Sequence, residues 1–368
     1  MFDVKFFIKL INLSLKEDLL LKLYISKVLE KESLYRLLYN FDYDIEKETL
    51  SFNFLLADLF RKNPHIDIPK EIKPRLMGIM SFFQYYNANL LLGLKKLVSE
   101  LDKYNIYIML VENSAMRLLD SGKEKMMFEI ECVALKEDFF KVIEISKKIG
   151  FEVVEQYADG SVVIKQNKQV IIIHNTSNKI KNGLYEESFE NAKKYSFHGS
   201  TVLIPNTEDF ILLLLNNGFD NIIYSKPFYK NVSWLLYCIY FIKNNIYINW
   251  NVIIQTAKKM GILAKLKIML ELFDYFLPNT IPNNLIVSMV ISNEEQKSFN
   301  LYTRNQFLFS KTNQLKEEIR SKKISDFFYV IKLLIRFIYL KTVQKIPMLD
   351  KLLLNKSMDW ILKYDNGK

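Results

Sequence analysis

Two glutamates set two residues apart, Glu129 and Glu131 in KMMFEIECVALKED, are the pair in this chain whose type and spacing could do chemistry. On a strand, residues two apart point to one face, so both carboxylates could share divalent ions. Group transfer assisted by two metals uses such ligands, holding ions roughly 3.5–4 Å apart to neutralise a phosphate and activate an acceptor. The same alternation also describes two charges on the solvent side of an edge or half-exposed strand, with Phe128, Ile130 and Cys132 facing a core. Both readings stand at this level. His174, at the end of QVIIIHN, could hydrogen-bond a ligand or orient a phosphate, and could equally finish a strand.

Other chemistries are less well served. Cys132 and Cys238 lie far apart and the three histidines are scattered, so there is no CxxC, zinc spacing or disulfide framework, which points to a reducing, intracellular setting. The N-terminal MFDVKFFIKLINLSLKEDLLLKLYI is apolar but broken by Asp3, Lys5, Lys9, Lys16, Glu17 and Asp18. It therefore reads as an amphipathic helix of a cytoplasmic protein, not a signal peptide or a membrane span. The 368 residues include 10 Gly, 8 Pro, 27 Phe and 21 Tyr, a composition suited to long helices with large aromatic cores.

The elements that must position the glutamates follow from periodicity. Residues 1 to about 95 show apolar spacings of three and four, as helices do, with Pro64, Pro69 and Pro74 as punctuation. From Ile106 the pattern changes to short runs rich in Val and Ile: IYIMLV, FEIECVAL, FEVVEQY, SVVIKQN and QVIIIHN. Helices fall between the first three, at 114–120 and in KEDFFKVIEISKKIG, and Asp159-Gly160 suits a hairpin turn. YSFHGSTVLIP reads as one more short extended piece. Asn206 or Thr207 can then cap EDFILLLLNNG, and the remainder is helical. The expected class is α+β, a small mixed β-sheet flanked by N-terminal and C-terminal helical lobes, divided as 1–95, 96–205 and 206–368.

This order of parts resembles the uncharacterised bacterial nucleotidyltransferases of the polymerase-β-like superfamily. The likeness runs from about Leu90 to Ile281, through LDKYNIYIMLVENSAMRLL, the carboxylate-x-carboxylate strand, KKIGFE, the hairpin, the strand ending in His, LIPNTEDFILLLL and WLLYCIYFI. The resemblance implies a nucleotidyltransferase-like core in which Glu129 and Glu131 hold Mg²⁺ or Mn²⁺. It also implies an NTP near Asn113, Ser114, Lys125 and His174. The chain departs from the family pattern at three places, the first being that glutamates, Glu129 and Glu131, stand where the family usually has aspartates. The third carboxylate position falls on Ile172, and the usual lysine-glycine pair before Ser114 falls on Glu112 and Asn113. Isoleucine cannot ligate a metal, and an anion replaces a cation beside the phosphates.

Two functions from different classes follow. The first is a nucleotidyltransferase-like protein with impaired catalysis, a binding or accessory component for a peptide, protein or small-molecule partner in a biosynthetic or regulatory pathway. The alternative is an active metal-dependent enzyme moving a nucleotide from an NTP to a small-molecule or peptide or protein acceptor through Glu129 and Glu131. The balance tips to the first. The net charge of +10 is concentrated at the C-terminus, where residues 301–368 hold 14 Lys and Arg against 6 Asp and Glu. That basic region, with its apolar run Phe327 to Leu340, could meet lipid headgroups as a peripheral membrane contact or an acidic peptide; no nucleic-acid motif accompanies it.

Overall fold

The computed structural model describes residues 4–11, 13–26, 31–40, 43–66, 68–119, 126–157, 159–177, 183–223, 228–244 and 247–304. Lys125 and the basic region beyond residue 304, with its apolar run, lie outside the described residues. Among the described residues five helices come first: α1 (Val4–Ile11), α2 (Leu15–Ile25), α3 (Lys31–Tyr35, continuing into a π-helical turn Arg36–Asn40), α4 (Leu50–Lys62) and α5 (Lys73–Leu101). A capping box opens α2, where the Glu17 amide donates to Ser14 Oγ at 3.2 Å and the Ser14 amide to Glu17 Oε2 at 2.8 Å.

The spine of the molecule is α5. Its buried positions Leu76, Met80, Phe83, Asn87, Leu90, Leu94, Leu97 and Leu101 alternate spacings of four and three, which keeps one stripe facing inward for 29 residues. The early part of the stripe packs on α4, with the rings of Phe54 and Phe83 4.9 Å apart. The later part packs on the sheet, and Gly93 permits this, since a Cβ there would lie 3.0 Å from the Gln169 side chain. The helix therefore runs without a break through the expected boundary at 95/96, packing first on α4 and then on the sheet.

Seven strands form one mixed sheet: β1 (Ile108–Leu110), β2 (Ile130–Ala134), β3 (Glu152–Gln156), β4 (Val162–Gln166), β5 (Gln169–Asn175), β6 (Lys193–Phe197) and β7 (Ser200–Ile204). Their spatial order is β3-β4-β5-β2-β1-β7-β6. Neighbours β1 and β2 run antiparallel, while β2 with β5 and β1 with β7 are parallel. Helices α6 (Glu112–Leu119), α7 (Phe139–Lys148) and α8 (Leu184–Glu190) connect them. The extended piece expected near 195–205 is a hairpin, β6–β7, because His198 (φ 50°) and Gly199 (φ 86°) both adopt the left-handed conformation of a tight turn. Both sheet edges are blunted, β3 by a bulge between Val153 and Glu155 and β6 by Lys193 and Lys194.

The C-terminal helices are α9 (Thr207–Ile223), α10 (Phe228–Lys243), α11 (Trp250–Lys259), α12 (Leu263–Phe276) and α13 (Asn283–Ser288). Asn206 caps α9, its Oδ1 accepting from the Asp209 amide at 2.8 Å. The N-terminal helix α1 packs here and not with its sequence neighbours alone, the rings of Phe7 and Phe219 lying 5.2 Å apart. Among the described residues, no helix is long and apolar enough to cross a membrane.

One buried charge cluster has a pH signature. Asp58, inside α4, binds Arg61 at 2.6 Å and Lys62 at 2.7 Å and accepts from the Tyr24 hydroxyl at 2.5 Å. Burial pushes the Asp58 carboxyl up, but Lys62, Tyr24 and Arg61 outweigh it and hold it below the usual carboxylate range. Its stabilisation is therefore complete above the unfolded value near pH 4 and is lost as pH falls through the lower folded value. Asp58→Asn is expected to destabilise by about 2 kcal/mol at neutral pH, kept modest because both cations are one-third exposed, and by progressively less in acid. Urea unfolding at pH 7 and pH 3 measures the difference.

Candidate functional site

Strand β2 is central and not an edge, and residues on both of its faces are buried. Ile130, Cys132 and Ala134 turn to the side packed by α5, and all three are buried. Glu131 and Val133 turn to the opposite side, where Val133 is buried and the Glu131 side chain is only 14% exposed. Glu131 is thus an enclosed carboxylate, unlike the solvent-facing charge that alternation alone allows. Glu129 is separated from it: it sits in the bend before Ile130, partly exposed, near Tyr86 of α5, whose phenol is pushed up by burial and by the Glu129 charge. Phe128 is also outside the strand and half-exposed, where a core position was expected. The alternation pattern fails here because the regular ladder begins only at Ile130, after both residues.

His174 joins Glu131 through the register of β5 on β2. Val133 lies opposite His174 and Glu131 opposite Ile172, so His174 and Glu131 are diagonal neighbours on one face. His174 Nε2 is 3.6 Å from Glu131 Oε2, beyond hydrogen-bond length. Both imidazole nitrogens are buried with no hydrogen-bond partner, and the ring lies 5.5 Å from that of Tyr185 on α8. Burial pushes the Tyr185 hydroxyl far up, reinforced by Glu112 and Glu131, so it remains a neutral donor.

Ser114 and Asn113 sit at the start of α6, directly after β1. Glu112 opens the turn with a left-handed backbone (φ 49°), and the Val111 amide extends the β1–β2 ladder to the Glu131 carbonyl at 3.1 Å. Ser114 is buried, and its hydroxyl accepts from the Glu131 amide at 2.8 Å, so its visible task is to lock α6 onto β2. Glu112 Oε1 accepts from Asn217 Nδ2 of α9 at 2.6 Å, and Asn113 Oδ1 accepts from the Tyr237 hydroxyl of α10. Further along, Tyr240 donates to the Leu119 carbonyl at 3.0 Å and Tyr195 to that of Leu118 at 3.3 Å. The loop expected to approach phosphate is fastened to the C-terminal helices.

The structure thus gathers Glu131, His174, Ser114 and Asn113 around the β1–α6 turn and leaves Glu129 at the margin. Ile172 is the strand neighbour of Glu131 on one side and of Val163 on the other. The resemblance implies a third carboxylate at this neighbouring position, and an alkyl group occupies it. Among the described residues, no three His, Cys, Asp or Glu side chains are placed to hold a metal ion. The Ile172 side chain, in register beside Glu131, supplies no oxygen or nitrogen ligand for a second ion. Cys132 adds no nucleophile, because burial pushes its thiol up and its Sγ donates to the Ile172 carbonyl at 3.6 Å.

Tyr185, Asn217 and Tyr237 are absent from the expected site. For Asn217 a signal existed: Asn216, Asn217 and Asp220 interrupt the apolar run of α9, and polar groups in a helix buried on every side require partners. For the tyrosines no local signal existed, since the chain holds 21 of them. Comparison with models of known protein families, with curated proteins and with solved structures finds no match.

Proposed function

We propose that this protein is a nucleotidyltransferase-like protein of impaired catalysis, which acts as a binding or accessory component for a peptide, protein or small-molecule partner. The order of elements supports the ancestry: β1, the turn into α6, the glutamate strand β2, and the histidine strand β5 laid parallel beside it. The observation that carries the functional reading is Ile172, in register beside Glu131 where a metal carboxylate would be required. The hydrogen bonds made by Glu112 and Asn113 add to it, because they direct the β1–α6 turn toward α9 and α10. A carboxylate at the start of α6 also opposes a triphosphate electrostatically.

Calorimetric titration with each nucleoside triphosphate, in Mg²⁺ and in Mn²⁺, is expected to give no saturable binding up to about 1 mM, a binding free energy weaker than about −4 kcal/mol. Ile172→Asp restores a carboxylate at the register position and is expected to raise Mn²⁺ affinity at least tenfold, a gain that Glu131→Gln abolishes. Tight metal-dependent nucleotide binding by the unaltered chain, lost in Glu131→Gln, would establish the active enzyme instead.

A further inference from the structure

The outward side of α5 carries no role in the site just described. The site lies on the Glu131 face of the sheet, whereas α5 packs on the other, with Gly93 against Gln169. At about 100° per residue, the exposed positions of α5 fall within one sector of roughly 200°. Its middle carries apolar and aromatic side chains, Met77 51% exposed, Phe82 50%, Tyr85 65% and Leu92 58%, with exposed Ser81 and Gln84 interleaved. Phe82 also stacks on Tyr86, with centroids 5.8 Å apart and planes at 19°, and the Tyr86 hydroxyl donates to the Phe128 carbonyl at 3.0 Å. Half-exposed Phe128 therefore adjoins this strip.

Charge selects the occupant. From Lys73 to Lys96 the helix holds Lys73 and Arg75 at one end, Lys95 and Lys96 at the other, and no carboxylate of its own between them, although partly exposed Glu129 lies near Tyr86 at the margin of the strip. All four cations are exposed; Arg75 also meets exposed Glu46 at 2.7 Å, and Lys96 donates to Gln166 at 2.9 Å. The two basic ends are about 30 Å apart along a straight helix, with the aromatic strip between. A second copy laid on this face would oppose cation to cation. A flat anionic surface contacts both ends together while the aromatic rings enter the interfacial layer. We propose that the outer face of α5 docks the protein onto membranes containing anionic lipid.

Co-sedimentation of the full chain with vesicles tests this. Binding is expected to equimolar phosphatidylcholine and phosphatidylglycerol, to weaken at 0.5 M salt, and to be slight on phosphatidylcholine alone. Tyr85→Glu with Leu92→Glu, both at exposed positions, is expected to cut binding at least tenfold with unchanged circular dichroism and melting temperature. Lys73→Glu with Lys95→Glu, which leaves the aromatic strip intact, should weaken it to a similar degree. No binding to anionic vesicles overturns the proposal, as does equal binding by both variants, which would assign it to the basic region beyond residue 304. A dimer of the unaltered protein that the Tyr85→Glu, Leu92→Glu variant dissolves, without vesicle binding, would assign the face to a second copy.

Discussion

Lys265→Met is expected to lower the free energy of unfolding by about 3–5 kcal/mol. Lys265 on α12 and Asp220 on α9 form an ion pair at 3.3 Å, with side chains 9% and 10% exposed. The ammonium also donates to Asn216 Oδ1 at 3.4 Å and lies over the rings of Phe219 and Tyr302, at 5.2 and 4.3 Å from their centroids. Removing the cation leaves a largely buried carboxylate without its charge partner, with the Tyr302 hydroxyl at 3.5 Å still donating to it, and that penalty exceeds the net worth of the pair. The double replacement Lys265→Met, Asp220→Leu removes both charges and is expected to recover most of the loss. Urea unfolding of the three variants decides it; a single-variant loss below 1 kcal/mol would mean that water reaches the pair.

A comparable loss, about 3–5 kcal/mol, is expected for Trp234→Ala, which empties the contact between α9 and α10. The partner of the indole is Gly218, where a Cβ would lie 2.5 Å from Trp234 Cδ1 and Cγ. Gly218→Ala alone should cost about 1–3 kcal/mol through overpacking. The two changes should be markedly less than additive together, because a methyl group can occupy space that the indole has left. The effect reaches the candidate site: α9 brings Asn217 to Glu112, and α10 brings Tyr237 to Asn113. Hydrogen exchange at the α6 amides should therefore accelerate in either single variant, while strict additivity in the double variant would show that the contact is not shared.

The same glycine marks where periodicity stops being informative. LLLLNNG reads as the end of a helix, since Asn and Gly commonly terminate one. The helix in fact continues to Ile223, because Gly218 serves as the place where α10 comes close. YSFHGSTVLIP offered too little apolar alternation to separate two strands, and the pairing of β7 with β1 depends on a partner more than ninety residues away. By contrast β4, β5 and α7 were legible because each is a periodic run bounded by turn residues, whose pattern records its own burial.

For the site, sequence alone determined the residue types and therefore the chemistry on offer: a carboxylate in Glu131, an imidazole in His174, an alkyl group at Ile172 and an anion at Glu112. Tertiary structure decided which of them meet. The parallel register of β5 on β2 places Ile172 beside Glu131 and brings His174 to 3.6 Å from it. The bend before Ile130 detaches Glu129 from its apparent partner. The placement of α9 and α10 beside the start of α6 draws Glu112 and Asn113 into hydrogen bonds. A side chain's chemistry is local and travels with its residue, whereas strand register and helix docking arise from burying apolar surface contributed by segments far apart in the chain.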